Sequence, residues 1–568
     1  MQILRDAYFH PDLQVYQARP GYKSSYLPAS EGLASTCDAS VGEARKRSRG
    51  VNRPFLKFTG KTILVSPLFF AAYYAYRVYD ETNPGPQQPQ TATHASGNRK
   101  KTLVILGSGW GAISILKNLD TTLYNVVVVS PRNYFLFTPL LPSCPTGTIE
   151  YRSIIEPVRT VAKRRPGEVT YYEAEATDID ATNNKLTLKQ TLGSDAVKAH
   201  GEDTLTVTLD YDYLVVGVGA QPNTFGIPGV LENSCFLKEL PDSQKIRKQF
   251  MDCIETATLL PKGSAERARL LRTVVVGGGP TGVEFAAELQ DYIDGDIRKW
   301  NPEIAAELKV TLVEALPNVL NMMNKKLIDY TEGVLRDLGI ELMTGAMVKK
   351  VDENEVHAAI KQENGELKLV DVPYGLLVWA TGNGTRDIVK NLSSKIPEQK
   401  NATRGLLVNE CMMLQGSKNI FALGDCTFTK NPPTAQVAQQ EGQYLASALE
   451  VLARVDDLEY QLYSTEIAGI EKERVQRRLH REQKAIQPFK YQHMGVLAYI
   501  GSERAVADLV WGDQSFFKNL NNISVGGTFT FFFWKSAYVQ MLLSTKNQVL
   551  VTVDWIKVAL FGRDVSKE

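Results

Sequence analysis

The sequence predicts an α/β chain with two Rossmann-like nucleotide-binding units and a C-terminal helical domain suited to a membrane surface. Three observations carry this. A glycine-rich turn joins an apolar strand to a helix at residues 102–112, and a second does so at residues 273–282. Each is followed by another strand of buried type, which completes a β-α-β unit. Beyond residue 529 the chain changes to aromatic and aliphatic runs broken by single charges.

The 568 residues, 43% hydrophobic, are enough for more than one buried core. Lys and Arg number 64 against 63 Asp and Glu, so there is no bulk attraction to nucleic acid. The six cysteines (Cys37, Cys144, Cys235, Cys253, Cys411, Cys426) include no close pair, and there are six histidines. A zinc site, an iron–sulfur site and a disulfide framework are therefore disfavoured, and no metal is expected. No calcium loop is present, and Asp291, Asp294 and Asp296 read as a solvated helix face.

Residues 1–99 read as a targeting segment, a short apolar run and a linker. Residues 1–44 carry five acids, which is unusual for a mitochondrial presequence. An acid-free stretch with Arg45, Lys46, Arg47, Arg49, Arg53, Lys57 and Lys61 precedes the apolar run Ile63–Tyr76. That run, interrupted by Pro67, fits either a marginal anchor or a presequence hydrophobic patch. Residues 81–99 are Pro/Gln/Thr-rich and read as a linker.

In the first unit, TLVILGSGWGA, the spacing is set by Gly107, Gly109 and Ala112, with Ser108, Trp110 and Gly111 between them. The first glycine permits the tight turn and the second lets backbone approach a pyrophosphate. The third position must be small for helix and strand to pack. The pyrophosphate sits on free N–H groups at the helix N-terminus. The following strand, NVVVVS, ends at Ser130 where an acid would bind a ribose hydroxyl. Serine can make that bond without charge, and Arg132 is placed to serve the adenosine side.

The second unit, LRTVVVGGGPTGVEFAAE, has Gly277, Gly279 and Gly282, with Pro280 and Thr281 inside the turn. Its paired strand ends at Glu314, the right residue type for two ribose hydroxyls and repulsive to a 2′-phosphate. The helix extends through QDYIDGDIRKW, which lengthens the interval to Glu314. Two further strands, YLVVGVGA and LLVWATG, end in small turns at Gly219 and at Thr381–Gly382. A last one, NIFALGDC, delivers Gly424 and Asp425 ahead of a helix.

At the C-terminus, Phe529–Leu543 and Val549–Phe561 are apolar but carry Lys535, Asp554 and Lys557. On one helix, Ser536, Gln540 and Ser544 would form a polar stripe. The pattern suits helices in a membrane interface. Phe531, Phe532, Trp534, Trp555 and Leu560 would dip into the acyl boundary while the charges stay hydrated. The alternative is an ordinary core or dimer helix. Residues 461–486 are charged and helix-prone, with no functional reading.

GSGWGA, GVGAQPNTFGIPG, GGGPTGVEFAAEL, ATG and ALGDC together resemble the glutathione-reductase-like flavoproteins with two dinucleotide-binding domains. Within that group, YFLFTPLLP (134–142), PTAQVAQQEG (433–442) and LAYIGSERAVADL (497–509) are similar to mitochondrial type II NADH dehydrogenases. These are the alternative, rotenone-insensitive NADH:ubiquinone oxidoreductases, and the likeness is greatest to fungal external members. It runs from about residue 100 to the C-terminus.

The resemblance implies that the first unit, with Thr138, Gly219, Gly424 and Asp425, binds FAD and that the second binds NADH. It implies an FAD domain at 100–237 and 396–460, an inserted NADH domain at 238–395 and a membrane-anchoring domain at 461–568. Hydride passes from NADH to FAD and electrons from FAD to membrane ubiquinone, without proton pumping. Glu284 becomes a proton-relay or nicotinamide-positioning carboxylate; the alternative is a helix N-terminal acid that complements the dipole. Gln436 and Gln440, on one helix face, become quinone-side amides. Met494 stands where some relatives carry a lysine, so a lysine-based role is in doubt. A homodimer on the mitochondrial inner membrane, facing the intermembrane space, is also implied. A disulfide reductase or sulfide:quinone oxidoreductase would need paired thiols, and Cys144 and Cys426 meet only by tertiary accident. A signalling flavoprotein of the apoptosis-inducing type would need neither the quinone-side segment nor the C-terminal helices.

Overall fold

The computed structural model describes residues 72–190, 205–361, 366–464, 467–509 and 523–566. The chain forms two compact units, Met1–Tyr79 and Asp80–Glu568. In the first, residues 72–79 are helical. The acid-rich leader, the basic stretch and most of the apolar run lie outside the described residues. The larger unit is built on two parallel five-stranded sheets.

In the first sheet, β1 (Thr102–Leu106) lies between β2 (Asn125–Ser130) and β4 (Tyr213–Val216). Strand β3 (Val169–Glu173) extends one edge and the late strand Ile420–Ala422 the other. The three central strands are near-continuous Val/Ile/Leu runs because both faces are covered, which is the composition a parallel sheet requires. Helix α1 (Trp110–Asn118) leaves the glycine turn after β1.

In the second sheet, β5 (Arg272–Val276) lies between β6 (Lys309–Val313) and β7 (Leu376–Trp379). The short strands Cys235–Phe236 and Glu341–Met343 flank them. The second sheet thus begins just before residue 238. Helix α2 (Pro280–Tyr292) follows β5 and runs on through a wide π turn, Ile293–Ile297, as the long interval to Glu314 requires. Two three-stranded antiparallel sheets, 175–210 and 346–373, sit beside the parallel ones. The long helix α3 (Ala435–Ser464) crosses α1 closely: a Cβ on Gly442 would lie 2.5 Å from the Gly111 carbonyl. It continues past residue 460, the expected boundary.

The expected linker is bonded to the body of the molecule. Gln88 N–H donates to the Pro166 carbonyl at 2.8 Å, and Gln87 Nε2 to the Ala162 carbonyl at 2.9 Å. Arg99 pairs with Asp212 at 2.9 Å. A Pro/Gln-rich stretch is already extended, so laying it along an edge costs little ordering entropy.

The C-terminal part is not purely helical. It opens with an antiparallel sheet of β8 (Val496–Gly501), β9 (Arg504–Leu509) and β10 (Ile523–Gly527). Then come α4 (Thr528–Met541) and α5 (Thr545–Phe561). The expected polar stripe is broken here. Leu542 is extended, and Ser544 is the buried N-cap of α5, its hydroxyl accepting the Asn547 N–H. A cap must leave helical geometry, so Ser544 cannot share a face with Ser536 and Gln540. Among the described residues, no helix is long and apolar enough to cross a membrane.

Candidate functional site

Both glycine turns have the geometry their spacing requires. Gly107 and Gly277 have φ of 110° and 121°. A Cβ would meet the Gly217 carbonyl at 2.3 Å in the first and the Ala380 carbonyl at 2.8 Å in the second. Gly282 packs against the Gly277 carbonyl, where a Cβ would come within 1.9 Å. Gly109 and Gly279 are different. Both N-cap their helices with ordinary negative φ, and neither has a protein atom within 4 Å of a would-be Cβ. Neither backbone nor packing demands glycine there; a pyrophosphate laid on the helix N-terminus does. The two sites therefore fit two dinucleotides. Pro280 and Thr281 form the first turn of α2, and Trp110 that of α1.

In the second unit, Glu314 returns to the glycine turn. Its carboxylate accepts the Gly278 N–H at 2.5 Å and the Leu316 N–H at 2.7 Å, so both its oxygens are fixed at the glycine turn. Thr381 and Gly382 close β7, and Gly382, with φ of 80°, lies under the Phe225 ring.

In the first unit, the Ser130 hydroxyl bonds Ser108 Oγ at 3.0 Å and the Arg132 carbonyl at 2.9 Å. The Arg132 guanidinium pairs with Glu239. Glu239 comes from the crossing between the sheets, where it also caps the helix Leu240–Thr258 and faces Arg386 at 3.7 Å. An acid thus stands near the end of β2 after all, supplied from elsewhere in the chain. Its neighbour Lys238 contacts Asn383 Oδ1 at 2.6 Å and Asp425 at 3.9 Å. Lys238 and Glu239 fasten the carboxyl ends of both sheets together, and no local motif marked them. Burial raises the Asp425 carboxyl, with Lys238 opposing, and lowers the Lys238 ammonium.

Thr138 accepts the Trp110 indole N–H at 3.0 Å. Gly219 and Gly424 both have positive φ, at 64° and 72°. The Gly424 N–H donates to Glu441 at 2.7 Å. Glu441 is completely buried, and burial lifts its carboxyl to about 7.

Gln436 and Gln440 share one face of α3, but their amides are already engaged. Gln436 donates to the Gly495 carbonyl at 2.9 Å and accepts from the Tyr491 hydroxyl at 3.3 Å. Gln440 exchanges two 2.9 Å bonds with the backbone of Gln492. They hold the segment that carries the exposed Met494.

Glu284 is buried, and its carboxylate turns to β8, accepting the Tyr499 N–H at 3.1 Å. Burial raises it to about 8, against the pull of the Tyr499 amide and the Trp534 indole. Glu288 and Asp291 continue the same face of α2 at four- and three-residue steps. Asp291 accepts the Tyr499 hydroxyl at 2.5 Å and the Ser502 N–H at 3.0 Å, and burial raises it to about 6. Asp296 is buried against Arg563, while Asp294 pairs with Arg298 near the surface. The reading of 291–296 as a solvated face is therefore corrected for Asp291 and Asp296. The C-terminal strands and tail cover it, and sequence spacing within the helix carries no trace of them.

The C-terminal assignments are also partly corrected. Phe531 and Trp534 are 6% and 2% exposed and pack around Tyr499, at centroid distances of 5.4 and 5.6 Å. Asp554 is buried, accepting the Glu150 N–H at 3.0 Å. Lys535 lies over the Phe531 and Trp555 rings rather than in free solvent. What α4 and α5 leave exposed includes Phe529, Phe532, Phe533, Val549, Leu550, Val553, Ile556, Leu560 and Phe561. The described cysteines are all buried, and none is in a disulfide.

The profile of the pyridine nucleotide-disulphide oxidoreductase family matches residues 101–442, and that of the NDH2 C-terminal domain matches residues 493–564. The external alternative NADH-ubiquinone oxidoreductase of Yarrowia lipolytica is 52% identical over 522 residues, covering 89% of this chain and 86% of the relative. The external NADH-ubiquinone oxidoreductase 2 of Saccharomyces cerevisiae is 51% identical over 514 residues, covering 90% of each. The structure of NDH2 from Plasmodium falciparum in complex with NADH superposes with a TM-score of 0.69 at 28% identity, covering 83% of this chain and 100% of that one. With its glycine cradles, Glu314 and the C-terminal module in place, the chain belongs to the mitochondrial external NADH-ubiquinone oxidoreductases of the NDH2 type.

Proposed function

We propose that this protein oxidises NADH and reduces ubiquinone without pumping protons, using FAD in the first unit. The observation that carries the reading is the pair of helix N-termini with open glycines, Gly109 and Gly279, one of them flanked by Glu314. FAD, when bound, supplies the two-electron relay between the two substrates. Glu314 orients NADH through its ribose. Ser130, Arg132, Gly219 and Asp425 line the flavin side, and Lys238 and Glu239 keep the two cradles in register. Glu284, protonated at neutral pH, holds a proton for the quinone step. Gln436 and Gln440 position the 491–495 segment at the quinone side rather than meeting the quinone with free amides.

The exposed apolar residues of α4 and α5 support attachment to a membrane surface as an interfacial platform. That placement suits a lipid-dissolved quinone; the relatives named external and mitochondrial support the inner membrane and its intermembrane-space side, and a homodimer would widen the platform. The leader ahead of residue 81 is read as a targeting segment with a short apolar anchor, and residues 81–99 as the linker to the catalytic part. The test is NADH turnover with a short-chain quinone by the purified flavoprotein. Absence of NADH-dependent quinone reduction with FAD bound would overturn the assignment and revive a signalling role.

A further inference from the structure

The tail after α5 carries a guanidinium into the interior. Arg563, 12% exposed, reaches the side of α2 away from its glycine turn. It bonds Asp296 at 3.1 Å, the Thr148 hydroxyl at 2.8 Å and Glu288 at 3.5 Å. Glu288 is itself buried and accepts hydroxyls from Ser143 at 2.9 Å and Thr148 at 2.6 Å. It lies one helical turn from Glu284 on the same face. The tail is also tied by backbone: Arg247 donates to the Asp564 carbonyl at 2.8 Å and Tyr292 to the same carbonyl at 3.3 Å.

A buried charge is tolerated only when paired, and among the described residues Glu288 has no ion-pair partner from its own domain; Lys299 of that domain reaches Asp296 instead, at 3.9 Å. We infer that Arg563 is a positioning residue for the reaction: it offsets the charge of Glu288 and so sets the electrostatic surroundings of Glu284. The C-terminal tail, continuous with the helix that offers the apolar face, is thereby part of the active centre. This rests on the reading of Glu284 as proton holder. Glu284 is faced by Glu288 on its own helix, by Tyr499 on β8 and by Trp534 and Tyr538 on α4. Lys535 and Asp291 also act on Glu288's neighbourhood, but neither bonds Glu288.

The test uses the full-length FAD-loaded protein in phosphatidylcholine vesicles. The pH profile of kcat with a short-chain quinone is recorded for wild type, Arg563→Met, Arg563→Lys, Arg563→Met/Glu288→Gln and Glu284→Gln. With Arg563→Met, the unpaired Glu288 charge should move the alkaline limb up by about one unit. kcat should fall several-fold while KM for NADH stays unchanged. Lysine should restore much of the profile, as should the double variant, because both charges are then absent. An unmoved limb in Arg563→Met overturns the inference, provided Glu284→Gln abolishes that limb. A limb that persists in Glu284→Gln instead overturns the reading of Glu284. Should Arg563→Met lose its flavin, the double variant decides: a wild-type limb with Arg563→Lys and the double variant supports charge compensation, and failure of both overturns it.

Discussion

Glu314 illustrates how one carboxylate sets nucleotide choice. The Gly278 and Leu316 amides fix both its oxygens, so it cannot swing aside for a 2′-phosphate. Glu314→Gln is expected to raise kcat/KM for NADPH by roughly tenfold, equivalent to about 1.4 kcal/mol, while NADH loses less. Equal use of both nucleotides by the wild type would remove the basis for this. Glu284 makes a second, pH-dependent prediction. Its folded pKa of about 8 lies above its unfolded value, so the folded chain holds the extra proton between the two. Stability contributed by that proton is complete below the unfolded value and is lost as pH rises through about 8. Glu284→Gln should therefore melt close to wild type near pH 5 and higher than wild type at pH 8.5. The gain should be on the order of 2 kcal/mol, with the alkaline limb of turnover removed. Thermal melts at the two pH values check the first part and a kcat profile the second. Gly107 and Glu314 stand out by local spacing, whereas Glu284 is singled out only through the family resemblance. Lys238, Glu239, Glu441 and Arg563 are not marked locally, because each acts on a partner far away in the chain.

At the scale of elements, α4 and α5 divide their apolar residues between two tasks. Phe531, Trp534, Tyr538 and Val551 belong to the interior, whereas Phe532, Val553, Ile556, Leu560 and Phe561 remain outside. Composition shows that both helices are largely apolar, with a few scattered polar residues. It does not show which side meets the rest of the chain, because apolar residues occupy several faces of each helix and mark no single inner stripe. Removing everything after residue 521 would strip Trp534 from Tyr499 and Asn547 from the Ser153 and Ile155 carbonyls, to which it donates at 2.8 and 2.9 Å. Truncation should consequently destabilise the catalytic part and is a poor probe of attachment. The triple variant Phe532→Glu/Val553→Glu/Leu560→Glu touches only the exposed side. It should release the protein from vesicles in a flotation assay, since each lost contact removes about 1.5–3 kcal/mol of apolar burial. Flavin content and turnover of a water-soluble quinone should be retained. Retention on vesicles at wild-type level would sink the platform reading.

For the whole molecule, the described residues offer no helix suited to crossing a bilayer, and their buried carboxylates are dispersed, with Glu284 and Glu288 on α2, Glu441 on α3 and Asp554 on α5. Proton pumping needs ionisable groups arranged across a membrane-spanning bundle. Vesicles carrying the enzyme on their outer face should accordingly show no internal pH change driven by NADH turnover. A pH-sensitive dye trapped inside would report it, and a turnover-linked signal insensitive to quinone leakage would contradict the prediction.

The sequence by itself determined the two nucleotide units, their order and their glycine turns. These depend on contacts between residues a few positions apart, and such contacts leave a repeating spacing in the chain. It also determined the family, because several short motifs stand in a fixed order. Only the tertiary structure decided what covers α2 and which sides of α4 and α5 face inward. It also decided where the amides of Gln436 and Gln440 go and which distant residues pair with Arg132 and Glu288. Those outcomes depend on long-range packing and on pairing charges that burial would otherwise make costly, and neither leaves a periodic mark in the order of residues.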